Sequence, residues 1–247
     1  MKNLILLGLV AAAILDSAIA RELPEFLHVC NRNDPNLDAC IIESVEYLKP
    51  YLTKGVPEYH IPSLEPLLLK ELIATQGTGI RVTAKDVHVY GASDFKVTKM
   101  KSDVNKLRFN LDVHLPNIYI DGLYEIDGKV LLLPIRGSGP MNGNFTNCTG
   151  AVRFQAQLQK DSKGEDHMVI TDFKMKISVG KGYLRLDNLF GGERVLGDVI
   201  NNAINSNFDT FLKELQPIVE RALSNAFREI GNSIVRQFTF QQLFPTS

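Results

Sequence analysis

His28, His60, His88, His114 and His167 are the side chains best suited to acid–base work or metal ligation near neutral pH. No two of them have the His-x-x-x-His spacing that puts ligands on one helix face, so spacing assigns no metal. His114 falls among the polar residues of an alternating stretch and reads as a solvated surface side chain. A serine nucleophile needs a strained strand-to-helix turn. The nearest segment, Gly91-Ala92-Ser93-Asp94-Phe95, lacks the closing glycine and a following helix. Gly137-Ser138-Gly139 leads into Pro140 and not into a helix, so it does not cradle a phosphate, and Gly128-Lys129 lacks the remaining residues of a phosphate loop. The basic run Lys96, Lys99, Lys101, Lys106 and Arg108 is interrupted by Asp94, Asp103 and Asp112 and reads as a solvated face. No catalytic residue, metal or cofactor is assigned, and the chain is not expected to be an enzyme.

Two other chemistries are better supported. Cys30 and Cys40 flank the turn-forming segment Asn31-Arg32-Asn33-Asp34-Pro35-Asn36, a pair expected to be bridged in an oxidising compartment. Spacing alone does not show that their Cα atoms approach closely enough. Cys148, the third cysteine, is left over and reads as a buried thiol. Asn144-Phe145-Thr146 and Asn147-Cys148-Thr149 are glycosylation acceptors three residues apart, close enough to compete. Both chemistries require secretion, and the first twenty residues read as the address: Lys2, an apolar run from Leu4 to Leu15, and the small-x-small site Ala18-Ile19-Ala20. The run is shorter than the ~20 residues of a membrane span. Residues 1–20 are therefore expected to be a cleaved signal and 21–247 a single extracellular domain.

The elements that would position these groups fall into three regions. Ile41, Ile42, Val45 and Leu48 form one apolar face of a helix over Asp38–Leu52, with Pro50 near its end. Leu64, Leu67, Leu68 and Leu69 suggest a short apolar element after a punctuated connector. From about Ile80 to Leu186 the pattern is β. Phe109, Leu111, Val113 and Leu115 alternate with Asn110, Asp112 and His114, and Pro116-Asn117 reset the parity, which predicts a bulge or bend. Asp127-Gly128 signals a tight hairpin, and Val152, Phe154, Ala156 and then Phe173, Met175, Ile177 alternate again. Short loops without helices predict antiparallel strands with one wet face. From Glu193 to Arg236 an apolar stripe at 3- and 4-residue steps predicts a very long helix, kinked or broken at Pro217. An apolar tail of Phe238, Phe240, Leu243 and Phe244 follows.

The basic and acidic residues, 27 and 28, nearly cancel to a net charge of −1, so nothing electrostatic favours nucleic acid or an anionic membrane. Apolar residues make up 45% of the chain and tryptophan is absent, which fits an ordinary globular protein. The one-sided sheet and the helix stripe must cover each other. A helix so long is matched by a strongly curved sheet, with Pro116, Gly122 and Gly137 as the bends, in a single α+β body.

Taken together, the signal, the early cysteine pair and Lys54-Gly55-Val56-Pro57-Glu58-Tyr59 resemble the insect takeout and juvenile-hormone-binding-protein family. Ile120-Asp121-Gly122-Leu123-Tyr124, Ile126-Asp127-Gly128-Lys129 and Leu133 through Pro140 are similar to the takeout branch, as are Leu186-Asp187-Asn188-Leu189-Phe190 and Gln242-Leu243-Phe244-Pro245. The resemblance covers about residues 23 to 245.

The resemblance implies a long helix wrapped by a curved antiparallel sheet around an apolar tunnel, the fold of tubular lipid-binding proteins. It also implies carriage of a small hydrophobic molecule (a lipid, a fatty-acid-like chain or a terpenoid) in haemolymph or sensory-organ fluid. The family disulfide carries over to Cys30–Cys40. Juvenile-hormone carriers have a second bridge towards the C-terminus, for which Cys148 has no later partner here; this favours takeout over a hormone carrier. Takeout-like members are linked to feeding, circadian and behavioural physiology. The inward positions Phe109, Leu111, Val113, Phe154, Phe173 and Met175, with Val199, Phe208 and Phe211 from the helix, are the candidate lining. Tyr119, Tyr124 and Tyr183 are candidates to offer a hydroxyl to the ligand. The protein is expected to be monomeric, with no nucleic-acid partner and no stable membrane insertion. A membrane-active or pathogen-lipid-binding defence protein shares the expected fold and is the alternative; a secreted hydrolase is a weaker one.

Overall fold

The computed structural model describes residues 22–76, 80–130 and 133–246. The expected signal at 1–20 lies outside the described residues. Helix α1 (Leu37–Lys54) runs through Pro50 and starts at an Asp38 carboxylate that accepts from the Ser102 N–H and hydroxyl, tying its first turn to the sheet. Cys30 and Cys40 are bridged with their Cα atoms 6.0 Å apart, which fastens the preceding segment to this helix.

Seven antiparallel strands follow: β1 (Leu67–Gln76), β2 (Ile80–Tyr90), β3 (Lys96–Asp103), β4 (Arg108–Val130), β5 (Leu133–Lys160), β6 (Asp166–Ser178) and β7 (Lys181–Leu186). They form one sheet in the order β1-β2-β4-β5-β6, with β3 on the first half of β4 and β7 on the first half of β5. The strands β4 and β5, of 23 and 28 residues, are the spine. Pro116 does reset the parity, and of the bulge or bend expected there the register excludes the bulge. The register is the same on both sides of it (Leu115↔Cys148, Asn117↔Thr146). Proline has no N–H for the ladder, and Asn147 opposite it takes a φ of 52°, so both strands change face together and no residue is inserted. Phe109 is buried on one side of this point and Tyr124 and Ile126 on the other, with opposite parity.

The Asp127-Gly128 hairpin is a second correction. Asp127 pairs with Arg136 and Gly128 with Ile135, and pairing continues to Val130↔Leu133, because continued ladder bonds outweigh the local turn preference. The expected bends at Gly122 and Gly137 are places of close approach. A Cβ on Gly122 would lie 3.0 Å from the Val87 Cα, where β2 bulges, and one on Gly137 would lie 2.9 Å from the Leu189 Cα.

The C-terminal helix divides at Asn207 and not at Pro217, into α2 (Arg194–Ser206) and α3 (Phe208–Val235). Pro217 and Lys213 are exposed, so the Lys213 carbonyl that loses its helical partner can face water. At Asn207 the side-chain amide donates to the Ala203 carbonyl and closes α2, which lets the Phe208 ring settle over Gly182. The apolar tail forms a short helix, α4 (Phe240–Leu243), with a Thr239–Gln242 capping box.

The fold is thus α+β, a long antiparallel sheet with a long C-terminal helix packed on it. Helix α3 meets strands from both ends of the sheet order. Leu223, Ala226, Phe227 and Ile230 pack against the Leu67, Leu69 and Val87 cluster of β1 and β2, while Glu220, Ser224 and Asn232 bond to β6. No described helix is long and apolar enough to cross a membrane.

Candidate functional site

The alternation of β3 to β6 places three cross-strand rows on one face, because residues in direct register share a side. Phe173, Phe154, Phe109 and Ser102 form the first row, Met175, Val152, Leu111 and Met100 the second, and Ile177, Gly150, Val113 and Val97 the third. The rings of the first row stack, with centroids 6.0 Å apart for Phe154–Phe173 and 4.7 Å for Phe109–Phe154. Phe227 of α3 stacks at 6.5 Å on Phe173, and Phe244 at 5.8 Å on Phe109. This first row is therefore closed over by the C-terminal helices. In the other two rows Leu111, Val113, Met175 and Ile177 stay half-buried and join none of the packed clusters of the core. Gly150 brings no side chain to the third row, and Val113 Cγ2 lies over it, 3.0 Å from where a Cβ would stand.

Six of the expected lining residues (Phe109, Leu111, Val113, Phe154, Phe173 and Met175) are thus brought together on this face. Phe208 and Phe211 are buried at the other end of the body: Phe208 lies near Phe145, with centroids 5.9 Å apart, and Phe211 sits in a cluster with Tyr124, Ile126, Ile135 and Ile204. Val199 does not join them. It is 56% exposed, with Val195 and Leu196 beside it, so the apolar stripe is too broad there for one face and its outer part faces solvent. Tyr119 and Tyr183 are also exposed, on the outer face, because they have the parity opposite to the buried Tyr124 and Leu186. The Tyr124 hydroxyl is already engaged, donating to the Asp187 carbonyl at 2.7 Å, and burial with the nearby Asp187 charge pushes its pKa up to about 12. Cys148 is free and buried, and that burial raises its thiol pKa.

A set of polar side chains missed in the sequence holds the helices to the sheet. Asn201 bonds to both the N–H and the carbonyl of Leu186, Asn205 to both of Leu184, and Asn232 to both of Ile170. Ser224 accepts from the Met175 N–H, and Gln216 donates to the Ile177 carbonyl. These groups stand in for a missing neighbour strand along the edges of β6 and β7. Their spacing by four, at 201 and 205 and again at 216, 220 and 224, was the visible signal, but it reads equally as a wet helix face.

Glu220 belongs to the same set, with its side chain only 5% exposed. Burial works against the carboxylate, but bonds from Lys176 at 2.6 Å, Gln216 and the Ile177 N–H outweigh it and hold the pKa below the usual 4.5. A carboxyl depressed in the folded state stabilises fully above its unfolded pKa and loses that contribution as pH falls through the folded value. Glu220→Gln is therefore expected to flatten the acid limb of a melting-temperature profile below about pH 4.5 while costing roughly 1 kcal/mol at neutral pH. A variant with an unchanged acid limb shows that other carboxyls set it.

The serine segment considered as a nucleophile turn has a structural role. The segment around Ser93 is a 3₁₀ turn pinned by Glu65, whose carboxylate accepts from the Gly91 and Ser93 N–H groups and the Ser93 hydroxyl. Among the described residues, Asp161, Glu165 and His167 bring possible ligand atoms within 4.8 Å of one another. Asp161 Oδ1 there already accepts two backbone N–H bonds, from Lys163 and Glu165, which close the β5–β6 loop. Two surface hollows, one by Arg185, Asn188 and Asn201 and one by Arg32, Asp166 and Gln241, include no residue of the three rows.

Residues 4–245 match the family described as Haemolymph juvenile hormone binding protein. The circadian clock-controlled protein daywake of Drosophila melanogaster is 24% identical over 231 residues, covering 90% of this chain and 88% of that protein. A putative beta-carotene-binding protein of Schistocerca gregaria is 20% identical over 216 residues, 87% of this chain and 86% of the relative. The crystal structure of Epiphyas postvittana Takeout 1 superposes with a TM-score of 0.73 at 22% identity, covering 88% of this chain and 99% of that one, which is a likeness of fold.

Proposed function

The chain belongs to the haemolymph juvenile hormone binding protein family, a family of proteins that bind hydrophobic ligands, and from that premise we propose that it is a secreted, non-enzymatic carrier of one small hydrophobic molecule. The ligand class is a lipid, fatty-acid-like chain or terpenoid, held in an apolar tunnel between the sheet and α3. The observation that carries this reading is the half-buried state of Leu111, Val113, Met175 and Ile177 on the face that also packs Phe227 of α3. Apolar side chains facing an apolar helix are normally sealed. Surface left open there is surface that a ligand can cover, at about 25 cal/mol per Å² of apolar area less the cost of association. The contact of α3 with both β1 and β6 supports a sheet that wraps around the helix. The names of the relatives, a beta-carotene-binding protein among them, support the hydrophobic class without selecting a member.

The test is to recover the protein from the medium of a secreting cell, extract it into organic solvent and identify what comes out by mass spectrometry. A hydrophobic compound near one equivalent is expected. An empty extract, combined with failure of the apo-protein to bind a fluorescent fatty acid, overturns the proposal. A second reading, action at a lipid surface, draws on the exposed α2 residues Val195, Leu196 and Val199. Flotation with neutral and anionic vesicles separates the two, since a carrier stays in the soluble fraction.

A further inference from the structure

The two glycosylation sequons are not equivalent in the fold. Asn144 lies on the exposed outer face of β5, directly across from Tyr119 of β4 and Tyr183 of β7. Partners in direct register have Cβ atoms about 4.5–5.5 Å apart, so the asparagine stands between two phenol rings. Both rings are open to solvent, at 38% and 46%, and Tyr90 extends the row beyond Tyr119 with centroids 5.7 Å apart. Exposed aromatic faces aligned on either side of one polar residue offer flat, weakly hydrated surfaces of the kind that the C–H face of a pyranose covers well. The Asn144 side chain has no hydrogen-bond partner of its own among the described residues.

Asn147 is exposed as well, but its side chain is engaged by its neighbours. Its Oδ1 lies 3.0 Å from His114 Nε2, and its φ is 52° at the point where β4 and β5 change face. A Cβ on Gly180 would fall 2.9 Å from the Asn147 Cβ and 3.1 Å from its Nδ2, so the acceptor nitrogen is packed over the Gly180 backbone. The Gly180 N–H bonds to the carbonyls of Thr146 and Asn147 at 3.0 and 3.2 Å. A sugar on Asn147 Nδ2 starts beside the Gly180 backbone and not between aromatic rings.

We propose that Asn144 alone carries an N-linked glycan in the folded protein and that its first sugar stacks on Tyr119 and Tyr183. The inference rests on the secretion that the proposed function includes. The donor is a lipid-pyrophosphate-linked oligosaccharide. Asn144 Nδ2 forms the bond to the anomeric carbon, the bond from that carbon to the pyrophosphate oxygen breaks, the lipid pyrophosphate leaves, and one amide proton passes to a base of the transferase. Both sequons are accessible while the chain is extended. A sugar at Asn147 crowds the Gly180 backbone as the loop closes, whereas one at Asn144 lies over exposed rings.

The experiment uses the full chain secreted from insect cells. Glycans are removed by peptide N-glycosidase in heavy-oxygen water, which marks each occupied asparagine as labelled aspartate, and peptides are sequenced by mass spectrometry. Label at 144 with none at 147 is expected; label at 147, or none at 144 in the secreted protein, overturns the assignment. Retention of the ligand in the same unlabelled protein shows that the carrier reading survives that failure. In a second arm the glycan is trimmed to its first sugar by an endoglycosidase, and the melting temperature is compared with that of the fully deglycosylated protein. The single sugar is expected to raise it by about 2–4 °C in the wild type and to give no measurable rise in Tyr119→Ala/Tyr183→Ala. Each comparison is made within one background, so a general effect of the substitutions cancels. Equal rises in both backgrounds overturn the stacking.

Discussion

Val113→Arg is expected to abolish uptake of a fluorescent fatty acid while leaving a cooperative melting transition. Val113 sits in the third row of the helix-facing surface, between Val97 and Gly150, and remains half-buried. Val113 Cγ2 already lies over Gly150, so the arginine stem extends outward from the half-buried position, and the strand pairing on either side is unaffected. Its guanidinium then stands where an alkyl chain is proposed to lie. Displacing that chain, or leaving the charge unpaired against it, costs at least ~3 kcal/mol, which is a weakening of about a hundredfold or more. Asp112→Arg places the same charge one residue away on the opposite face and is expected to bind as the wild type does. Should Val113→Arg fold poorly, Leu111→Phe fills the second row without a charge and is expected to weaken binding of long chains by about tenfold. Native affinity in both folded variants places the ligand elsewhere.

The behaviour of β4 explains what was readable in the sequence and what was not. Strict alternation from Phe109 to Leu115 identified the inner face, since a one-residue shift would turn every one of these side chains to water. Together with the alternation of β5 and β6 and the family likeness, it gathered six candidates that share one face. The parity change at Pro116 was equally visible, but whether one strand bulges or both turn together depends on the conformation of Asn147, thirty-one residues away in the chain and directly opposite in space. Tyr119 and Tyr183 carry a polar tip on an apolar ring and suit either face, so type alone did not place them outside. The helix stripe gave the same ambiguity for Val199, because apolar residues at 195, 196, 199, 200, 203 and 204 span more than one face of α2. What fixes the rotation of that helix is polar: Asn201 and Asn205 have to meet β7, which turns Ile200 and Ile204 inward and Val195 and Val199 out. The partners of those amides are backbone groups of another element, and backbone groups leave no trace in residue types.

The strength of that polar seam is open to measurement, and Asn201→Leu is expected to show the largest loss of stability among exchanges that keep the number of side-chain heavy atoms. Asn201 is 4% exposed, and Leu186, which it serves, is 5% exposed. The amide accepts from the Leu186 N–H and donates to the Leu186 carbonyl, both at 2.9 Å, and also donates to the Gly197 carbonyl in its own helix. Leucine keeps the number of side-chain heavy atoms and favours the helix, so neither a cavity nor helix propensity confounds the result. It strands an N–H and a carbonyl on a strand edge that water does not reach. At about 1–3 kcal/mol for each buried group left unsatisfied, a loss of ~3 kcal/mol is expected. That corresponds to a fall of roughly 6–12 °C in melting temperature for a domain of this size. Asn202→Leu, one residue along on the exposed side of α2, is expected to change it by no more than about 1–2 °C. Hydrogen exchange at the Leu186 and Leu184 amides should accelerate in Asn201→Leu ahead of the amides shared between β4 and β5, because the edge opens where its surrogate neighbour is missing while the spine keeps its ladder. Equal melting temperatures for the two variants would mean that water replaces the asparagine without cost, and that α2 is held to β7 by its apolar residues alone.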